Sequence, residues 1–144
     1  AHYIAPTGSA KKSVVAEGCR VYGTVRRSVL FPGVIVEEGA VVEDSIIMSN
    51  TTIGKDSKVY KCIVSENVRI GQDVLMGVGE DVINEAKPHI YDSGITVVGE
   101  KAIIPDHAQI GKNVMIDQGV LAADFESLQV QSGKSIFKGG VDNE

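Results

Sequence analysis

Large apolar residues recur along the chain at intervals of five or six. Between Cys19 and Met76 the steps are 6, 5, 6, 6, 5, 6, 6, 5, 6 and 6. Any three consecutive steps of this series span the same interval, so a three-sided coil would return an equivalent side chain to the same side once per turn. The positions are Cys19, Val25, Leu30, Val36, Val42, Ile47, Ile53, Val59, Val64, Ile70 and Met76.

This spacing matches neither the 3.6-residue period of an α-helix nor the alternation of a simple hairpin. Hexapeptide repeats are typical of a parallel β-helix, in which each short strand pairs with its counterpart one coil further along. The low aromatic content of 5% agrees, because the interior must then be built mainly from Val and Ile, which favour strands. The sequence therefore predicts an all-β protein, a parallel β-helix of about five coils. Later steps become an even six, at Val98, Ile104, Ile110 and Ile116.

Three further columns follow the same repeat. Small residues that would fill the corners of a triangular interior stand at Ala40, Ser57, Val74, Ala102, Ala108 and Val114. Residues that tolerate a left-handed backbone are expected to turn the corners at Gly39, Asp56, Asp73, Asp106 and Asn113. Ser28, Ser45 and Cys62 share a third column, in which Cys62 is interpreted as a small packing residue rather than a nucleophile.

The chain divides into segments within one predicted β-helix domain, residues 1–144. We expect a lead-in at 1–12, coils at 13–77, a looped excursion at 78–94, the last coils at 95–116 and a tail at 117–144. Pro88 and two glycines interrupt the repeat in the excursion. The tail is expected to form strands or an irregular cap, because an open coil end presents unpaired backbone groups.

Charge and composition exclude several classes of partner. The net charge is −5, and no run of Lys and Arg exceeds a pair, which argues against nucleic acid or an anionic membrane as partner. No apolar run approaches the length of a membrane span, and no signal peptide is recognisable. Two cysteines in apolar repeat positions suggest neither a disulfide framework nor a metal site, and favour a reducing, cytoplasmic location. Because the chain begins with Ala1, it is expected to be part of a longer protein.

Two stretches carry a resemblance to a known enzyme family. Residues 18–54, "GCRVYGTVRRSVLFPGVIVEEGAVVEDSIIMSNTTIG", and residues 94–114, "GITVVGEKAIIPDHAQIGKNV", closely resemble the C-terminal part of bacterial glucose-1-phosphate adenylyltransferase, also called ADP-glucose pyrophosphorylase. The similarity runs over nearly the whole chain, including the excursion and the "SGKSIFKGG" tail. It implies that the β-helix is left-handed, as hexapeptide β-helices are.

The resemblance also implies a function. In that family an N-terminal nucleotidyltransferase domain uses ATP, glucose 1-phosphate and Mg²⁺ to make ADP-glucose for glycogen synthesis. The C-terminal β-helix packs against the catalytic domain, supports the tetramer and helps to form the cleft for sugar-phosphate activators. This chain contains no Gly-rich phosphate loop, so the resemblance implies a non-catalytic half with no cofactor of its own. Its expected partners are the catalytic domain and other subunits, either identical copies or a regulatory paralogue.

Candidate effector residues follow from the same resemblance. Basic residues of relatives on the coil corresponding to "KDSKVYKC" contribute to the effector region, and the matching residues here are Lys58 and Lys61. Lysine lacks the two-pronged hydrogen bonding of arginine, so the match to those relatives that carry Arg is partial. A simpler interpretation is a ladder of opposite charges, because Arg27, Asp44 and Lys61 stand one full repeat apart along the chain. Glu38 and Lys55 form a second pair of this kind.

Three alternatives concern other functions of hexapeptide proteins. A stand-alone acyltransferase would use His89 or His107 as general base, but neither is flanked by acyltransferase-like loop motifs. A zinc hydratase needs three His ligands, and His2, His89 and His107 have the wrong spacing. The third alternative is an inert scaffold whose only role is to form oligomers. No catalytic and no metal-binding residue is therefore predicted.

Overall fold

The computed structural model describes residues 2–89 and 93–138. Ala1, the part of the expected excursion at 90–92 and the part of the expected tail at 139–144 lie outside the described residues. Short strands make up most of the structure. They are β1 (Tyr3–Ile4), β2 (Ser9–Lys11), β3 (Val14–Val15), β4 (Arg20–Val21), β5 (Thr24–Arg26), β6 (Val29–Leu30), β7 (Ile35–Val36), β8 (Val41–Glu43), β9 (Ile46–Ile47), β10 (Thr52–Ile53), β11 (Lys58–Tyr60), β12 (Cys62–Val64), β13 (Arg69–Ile70), β14 (Leu75–Met76), β15 (Thr96–Val98), β16 (Ile103–Ile104), β17 (Gln109–Ile110), β18 (Met115–Ile116), β19 (Gln129–Val130) and β20 (Ser135–Ile136).

From β1 to β18 every third strand belongs to the same sheet, whereas β19 joins sheet B and β20 joins sheet C, and all described pairings are parallel. Sheet A has the order β1-β4-β7-β10-β13-β16, sheet B the order β2-β5-β8-β11-β14-β17-β19, and sheet C the order β3-β6-β9-β12-β15-β18-β20. Val42 lies in register with Val25 in one neighbouring coil and with Val59 in the other. The predicted repeat of three steps per coil and the parallel β-solenoid are therefore confirmed.

The interior is a stack of aliphatic side chains. From β4 to β17 the repeat residue of each strand points inward and is buried, whereas the strand residues next to it are half-buried or exposed. Full burial of one Val or Ile side chain stabilises the fold by about 1.5–3 kcal/mol. The small corner residues predicted at four positions after the repeat residue are buried as expected. They are Ala40, Ser57, Val74, Ala102, Ala108 and Val114.

Residues with a left-handed backbone conformation turn the chain at the corners. Gly39, Asp56, Asp73 and Asn113 have positive φ, as predicted from their side chains. The prediction for Asp106 is wrong, because His107 takes the left-handed conformation, with φ of 65°. His107 is the third residue after Ile104, which is the spacing of the other corners. The Asp106 carboxylate instead accepts a hydrogen bond from the Gln72 N–H at 2.8 Å.

The column of Ser28, Ser45 and Cys62 forms a hydrogen-bonded ladder between coils. The Ser28 hydroxyl donates to the Arg26 carbonyl and accepts from the Ser45 N–H. The Ser45 hydroxyl donates to the Glu43 carbonyl at 2.8 Å and accepts from the Cys62 N–H at 3.1 Å. At this corner the backbone N–H of one coil is thus satisfied by a side-chain hydroxyl of the preceding coil. These residues are small because they pack at the corner, and most are polar because they serve this ladder.

In the first coil, the buried residue of sheet A is not the one that the repeat predicts. Val21, rather than Cys19, lies in register with Val36. The chain reaches Val25 after a shorter step than elsewhere, because the corner between Val21 and Val25 contains fewer residues than the others. Cys19 occupies a buried corner position. Strands β1 and β2 lie within residues 1–12, so the expected lead-in already forms part of sheets A and B.

The C-terminal coil lengthens the shaft further. Ile110 pairs with Val130 and Ile116 with Ile136, so this coil contains more residues than the central coils do. The extra residues include a short 3-10 helix at Ala122–Asp124, after which Phe125 packs against the core. Among the described residues, sheet A therefore has six strands and sheets B and C seven each, so the predicted number of about five coils is too low.

Two asparagines hold the excursion between β14 and β15. The buried Asn84 amide donates to the carbonyls of Asn113 and Lys134 at 2.9 and 3.1 Å, and the Ser135 hydroxyl donates to the Asn84 side-chain carbonyl at 3.3 Å. Asn113 in turn donates to the Val82 carbonyl and accepts from the Gly94 N–H at 2.7 Å. The Asn113 side chain therefore holds the excursion at two places, Val82 and Gly94. Asn84 connects the excursion to the last coil.

Candidate effector site

Lys58 lies on the outer face of sheet B. Its strand, β11, is paired on both sides, so that Lys58 stands in register between Val41 and Leu75. The side chain is exposed, and in the part of the chain that the structure describes no carboxylate lies within ion-pair distance of it. An exposed ammonium group with apolar neighbours is available to an anionic ligand.

Lys61 lies at the corner that follows β11. Its backbone is left-handed, with φ of 48°, and its N–H donates to the Glu43 carbonyl of the preceding coil. The Arg27 guanidinium donates two hydrogen bonds to Asp44, at 2.8 and 3.3 Å. Lys61 adds only a longer-range attraction to Asp44. Of the predicted ladder, the Arg27–Asp44 pair is therefore formed. Lys61 forms no direct ion pair with any residue among 2–89 and 93–138.

A second ion pair was missed and a predicted one is wrong. Arg26 contacts Glu43 at 2.9 Å across the pair of strands β5 and β8. Arg26 and Glu43 stand one full repeat apart, and this separation would have revealed the pair. Glu38 and Lys55 have the same separation but form no ion pair in the described structure. Exposed ion pairs gain little free energy, so matching register alone does not hold two flexible side chains together.

The Arg27–Asp44 pair predicts a pH dependence. The hydrogen bond from Arg27 lowers the pKa of Asp44 below its ordinary value. A carboxylate of this kind contributes stability at pH values above its unfolded pKa, and the contribution is lost as pH falls through the folded pKa. We expect the carboxyl carbon resonance of Asp44 to titrate at higher pH in Arg27→Ala than in the unmodified protein, and to be unchanged in Lys55→Ala. Equal titration of Asp44 with and without Arg27 would contradict the assignment.

The other singled-out side chains occupy unremarkable places. His2 and His89 are exposed, and His107 Nδ1 lies 3.1 Å from the exposed Asp73 carboxylate at a corner. Burial raises the pKa of Cys62 to about 12, and its thiol donates to the Tyr60 carbonyl at 3.2 Å. Cys62 is therefore a packing residue. The structure does not bring the three histidines together, since they lie in the first coil, the excursion and a corner of sheet A.

The described ranges offer neither a metal site nor a membrane span. Within residues 2–89 and 93–138, no three His, Cys, Asp or Glu side chains converge in a way that could hold a metal ion. In the same ranges no helix has the length and apolar character needed to cross a membrane.

Comparison with known proteins places this geometry in a family. Residues 3–98 match the family model described as "GlmU-like, C-terminal hexapeptide". The chain belongs to this family. Its hexapeptide repeat, parallel sheets and nearly helix-free structure together identify the fold as a left-handed parallel β-helix.

Curated relatives are more specific. The chain is 62% identical over 140 residues to a glucose-1-phosphate adenylyltransferase of Acetivibrio thermocellus, a match that covers 97% of this chain and 33% of that protein. A second protein of the same name, from Ruminiclostridium cellulolyticum, is 62% identical over 141 residues, covering 98% of this chain and 33% of that protein. The chain thus spans about a third of the length of these relatives.

A solved structure supports the fold alone. The acetyltransferase domain of PglB from Neisseria gonorrhoeae, in complex with acetyl coenzyme A, aligns with a TM-score of 0.55 and 17% identity, covering 93% of this chain and 53% of that one. Because the identity is so low, this likeness shows a shared β-helix and carries no activity over to this chain.

Proposed function

We propose that this chain is the C-terminal regulatory and assembly part of a glucose-1-phosphate adenylyltransferase. Such an enzyme makes ADP-glucose and pyrophosphate from ATP and glucose 1-phosphate for glycogen synthesis in the cytoplasm. The observation that carries the proposal is the 62% identity over nearly the whole chain to enzymes of this name. The match covers a third of each relative, which leaves ample chain for a separate catalytic domain.

On this proposal the chemistry takes place outside the present chain. The sequence has no Gly-rich phosphate loop. The Mg²⁺ that the reaction requires has no fitting site among the described residues, because no cluster of three ligating side chains is present there. We therefore assign no catalytic step to this chain, and place ATP, Mg²⁺ and glucose 1-phosphate in the remainder of the enzyme.

The role of the β-helix would be to transmit the binding of an effector. An anionic sugar phosphate that binds Lys58 and Lys61 better in one arrangement of the two domains would shift the population towards that arrangement. Both lysines are exposed and project from one coil, which supports this role. The partners of the β-helix would be the catalytic domain and the other subunits of a homotetramer or of an assembly with a regulatory paralogue.

Activity measurements test the assignment as a non-catalytic part. We expect the isolated chain, incubated with ATP, glucose 1-phosphate and Mg²⁺, to form no ADP-glucose. The complete enzyme that contains this chain should form it under the same conditions. ADP-glucose formation by the isolated chain, or none by the complete enzyme, would overturn the proposal.

Substitution of the two lysines tests the effector site. We expect Lys58→Ala and Lys61→Ala each to raise the sugar-phosphate concentration needed for half-maximal activation of the complete enzyme by about tenfold, because each removes one charge-assisted hydrogen bond. Lys55→Ala is the matched control, since Lys55 is an exposed lysine that lies before β11 at a different corner. If neither variant changed the half-maximal activating concentration of any sugar phosphate in a panel of hexose mono- and bisphosphates, the two lysines would not be part of the effector site.

A further inference from the structure

A pocket of about 500 Å³ lies between the excursion and the C-terminal end of sheet B. Its floor is the outer face of the sheet, where Leu75, Gln109 and Gln129 stand in register on β14, β17 and β19. Val78 and Val82 line the pocket beside this floor and belong to the excursion. Small-molecule sites in proteins have volumes of this order, so the pocket is large enough for a small organic ligand.

The pocket is formed before any ligand binds. The Asn84 and Asn113 side chains hold the excursion against the last coils, as described above. A side chain at Gly111 would collide with the backbone nitrogen and the hydroxyl of Ser132 in the next coil, so glycine is required for this close approach. Because these walls are fixed in advance, little conformational entropy is lost when a ligand enters.

Three glutamines line the pocket and supply hydrogen-bonding groups. The Gln129 amide nitrogen lies 3.5 Å from the Gln109 side-chain oxygen, so the two carboxamides stand next to each other on neighbouring strands. Gln131 follows two residues after Gln129. The Ser132 hydroxyl accepts a hydrogen bond from the Lys112 N–H at 3.0 Å, and within residues 2–89 and 93–138 it donates its own proton to no other group. Donors and acceptors are therefore available to a neutral ligand.

The pocket lining offers no unpaired cation among the described residues. Lys134 donates to both carboxylate oxygens of Glu85, at 2.9 and 3.0 Å. The other charged residue of the described lining is Glu80, which is acidic. Lys58 forms no ion pair in the part of the chain that the structure describes, and it stands in register with Leu75, one coil from the floor. The pocket itself therefore favours an uncharged group, and an anionic group is favoured only towards Lys58.

We propose that this pocket binds the ring of a saccharide. Each sugar hydroxyl group both donates and accepts hydrogen bonds, and a carboxamide offers a donor and an acceptor side by side, so two adjacent hydroxyl groups match one glutamine. The C–H groups of a sugar ring are apolar and can pack on Leu75, Val78 and Val82. Neither interaction requires a charge on the ligand, so a neutral saccharide is sufficient.

The saccharide pocket is independent of the enzyme assignment but adds one link to it. A phosphate carried by the saccharide would lie towards Lys58, because Lys58, Leu75 and Gln109 occupy successive coils on the same face of sheet B. The pocket would then hold the ring of the sugar-phosphate effector, and this link alone rests on the proposed function. Binding of neutral saccharides and binding through Lys58 can be measured separately.

Titration of the chain with neutral saccharides tests the pocket. We expect at least one of glucose, maltose and cellobiose to bind with a dissociation constant of about 0.3–10 mM, because the pocket offers few hydrogen bonds and is open to water. In nuclear magnetic resonance spectra, the side-chain amide signals of Gln109, Gln129 and Gln131 should shift most. If none of these signals shows a saturable shift with any of the three sugars up to about 50 mM, the proposal is wrong.

A pair of glutamine substitutions locates the hydrogen bonds. Gln129→Leu removes the carboxamide at nearly constant volume and should weaken saccharide binding by about three- to tenfold. Gln72→Leu is the matched control, because Gln72 is an exposed glutamine outside the pocket lining. Circular dichroism checks that both variants are folded. Equal affinities in the two variants would contradict the assignment of Gln129.

A pair of valine substitutions tests the position of the ligand by filling the pocket. Val78→Trp should abolish saccharide binding, because the indole ring would occupy the space beside the floor. Val14→Trp should leave binding unchanged, since Val14 lies in the first coil and is exposed by 62%, compared with 49% for Val78. Saccharide binding that survives in Val78→Trp would place the ligand elsewhere and overturn the proposal.

A phosphorylated sugar separates the pocket from the effector role of Lys58. We expect glucose 1-phosphate to bind the chain about three- to tenfold more tightly than glucose, and Lys58→Ala to remove this gain without changing the affinity for glucose. If the phosphate gives no gain, the effector role of Lys58 fails and the saccharide pocket stands. If Lys58→Ala weakens the binding of glucose as much as that of glucose 1-phosphate, the ring lies at Lys58 rather than on Gln109 and Gln129, and the pocket proposal is overturned.

Discussion

Replacing Ile53 with alanine is expected to lower the free energy of unfolding by about 2–5 kcal/mol. Ile53 is fully buried and lies in register between Val36 and Ile70 of the two neighbouring coils. The spacing of the coils is fixed by backbone hydrogen bonds, so the neighbours cannot move along the shaft to fill the space. The lost apolar burial and the remaining cavity therefore both contribute to the loss of stability.

The adjacent residue provides the control for this prediction. Thr52 lies on the same strand but points outward and is half-buried. We expect Thr52→Ala to change the free energy of unfolding by less than about 1 kcal/mol. Urea denaturation followed by circular dichroism measures both variants. If Ile53→Ala and Thr52→Ala lowered the free energy of unfolding equally, Ile53 would not be the inward residue and Thr52 the outward residue of this strand.

The register of the sheets was predictable from the sequence because the interior is narrow. A triangular shaft accepts one large aliphatic side chain per side and per coil, so the sequence must return to Val, Leu, Ile or Met at each side. Val42, Val59 and Met76 recur at equal intervals for this reason and share sheet B. A shift of register by a single position would turn every such side chain outward, which is why a simple spacing rule was sufficient.

The prediction failed where a corner changes length. Between Val21 and Val25 the chain takes a shorter turn, and Tyr22 and Gly23 fill it. Gly23 permits this because a side chain there would collide with the carbonyl oxygen of Ala40. Counting steps of six back from Val25 leads to Cys19 and misses this deletion. The spacing rule gives the residues of the straight sides, but the backbone geometry of an individual corner is not encoded in it.

The candidate site was predictable only in part. The Arg27–Asp44 contact followed from the repeat, because residues one full repeat apart are neighbours on adjacent coils. An effector role for Lys58 and Lys61 came from resemblance and remains a prediction. The clamp formed by Asn84 and Asn113 had no signal in the sequence. Asn84 lies outside the repeat, and its partners in the last coils are distant from it along the chain.

That clamp leads to the second prediction with a large effect. We expect Asn84→Ala to lower the free energy of unfolding by about 2–4 kcal/mol and to release the last coil before the rest of the shaft. The substitution leaves the buried Asn113 carbonyl without the Asn84 amide donor, and it removes the two hydrogen bonds by which the Asn84 side chain shapes the excursion. Within the part of the chain that the structure describes, strands β19 and β20 have one neighbour each, so they depend on this connection more than the central strands do.

Hydrogen exchange locates the effect. The N–H groups of Met115 and Asp117 donate to carbonyls of the last coil, at Lys134 and Ile136, and should lose protection in Asn84→Ala. Protection of the Val29 N–H, which donates to Ser45 in the central coils, should change little. Glu80→Ala is the control, since Glu80 is an exposed residue of the same excursion whose side chain forms no hydrogen bond or ion pair in the described structure. Because solenoid coils are stabilised mainly by their nearest neighbours, a uniform loss of protection along the shaft would contradict a local clamp.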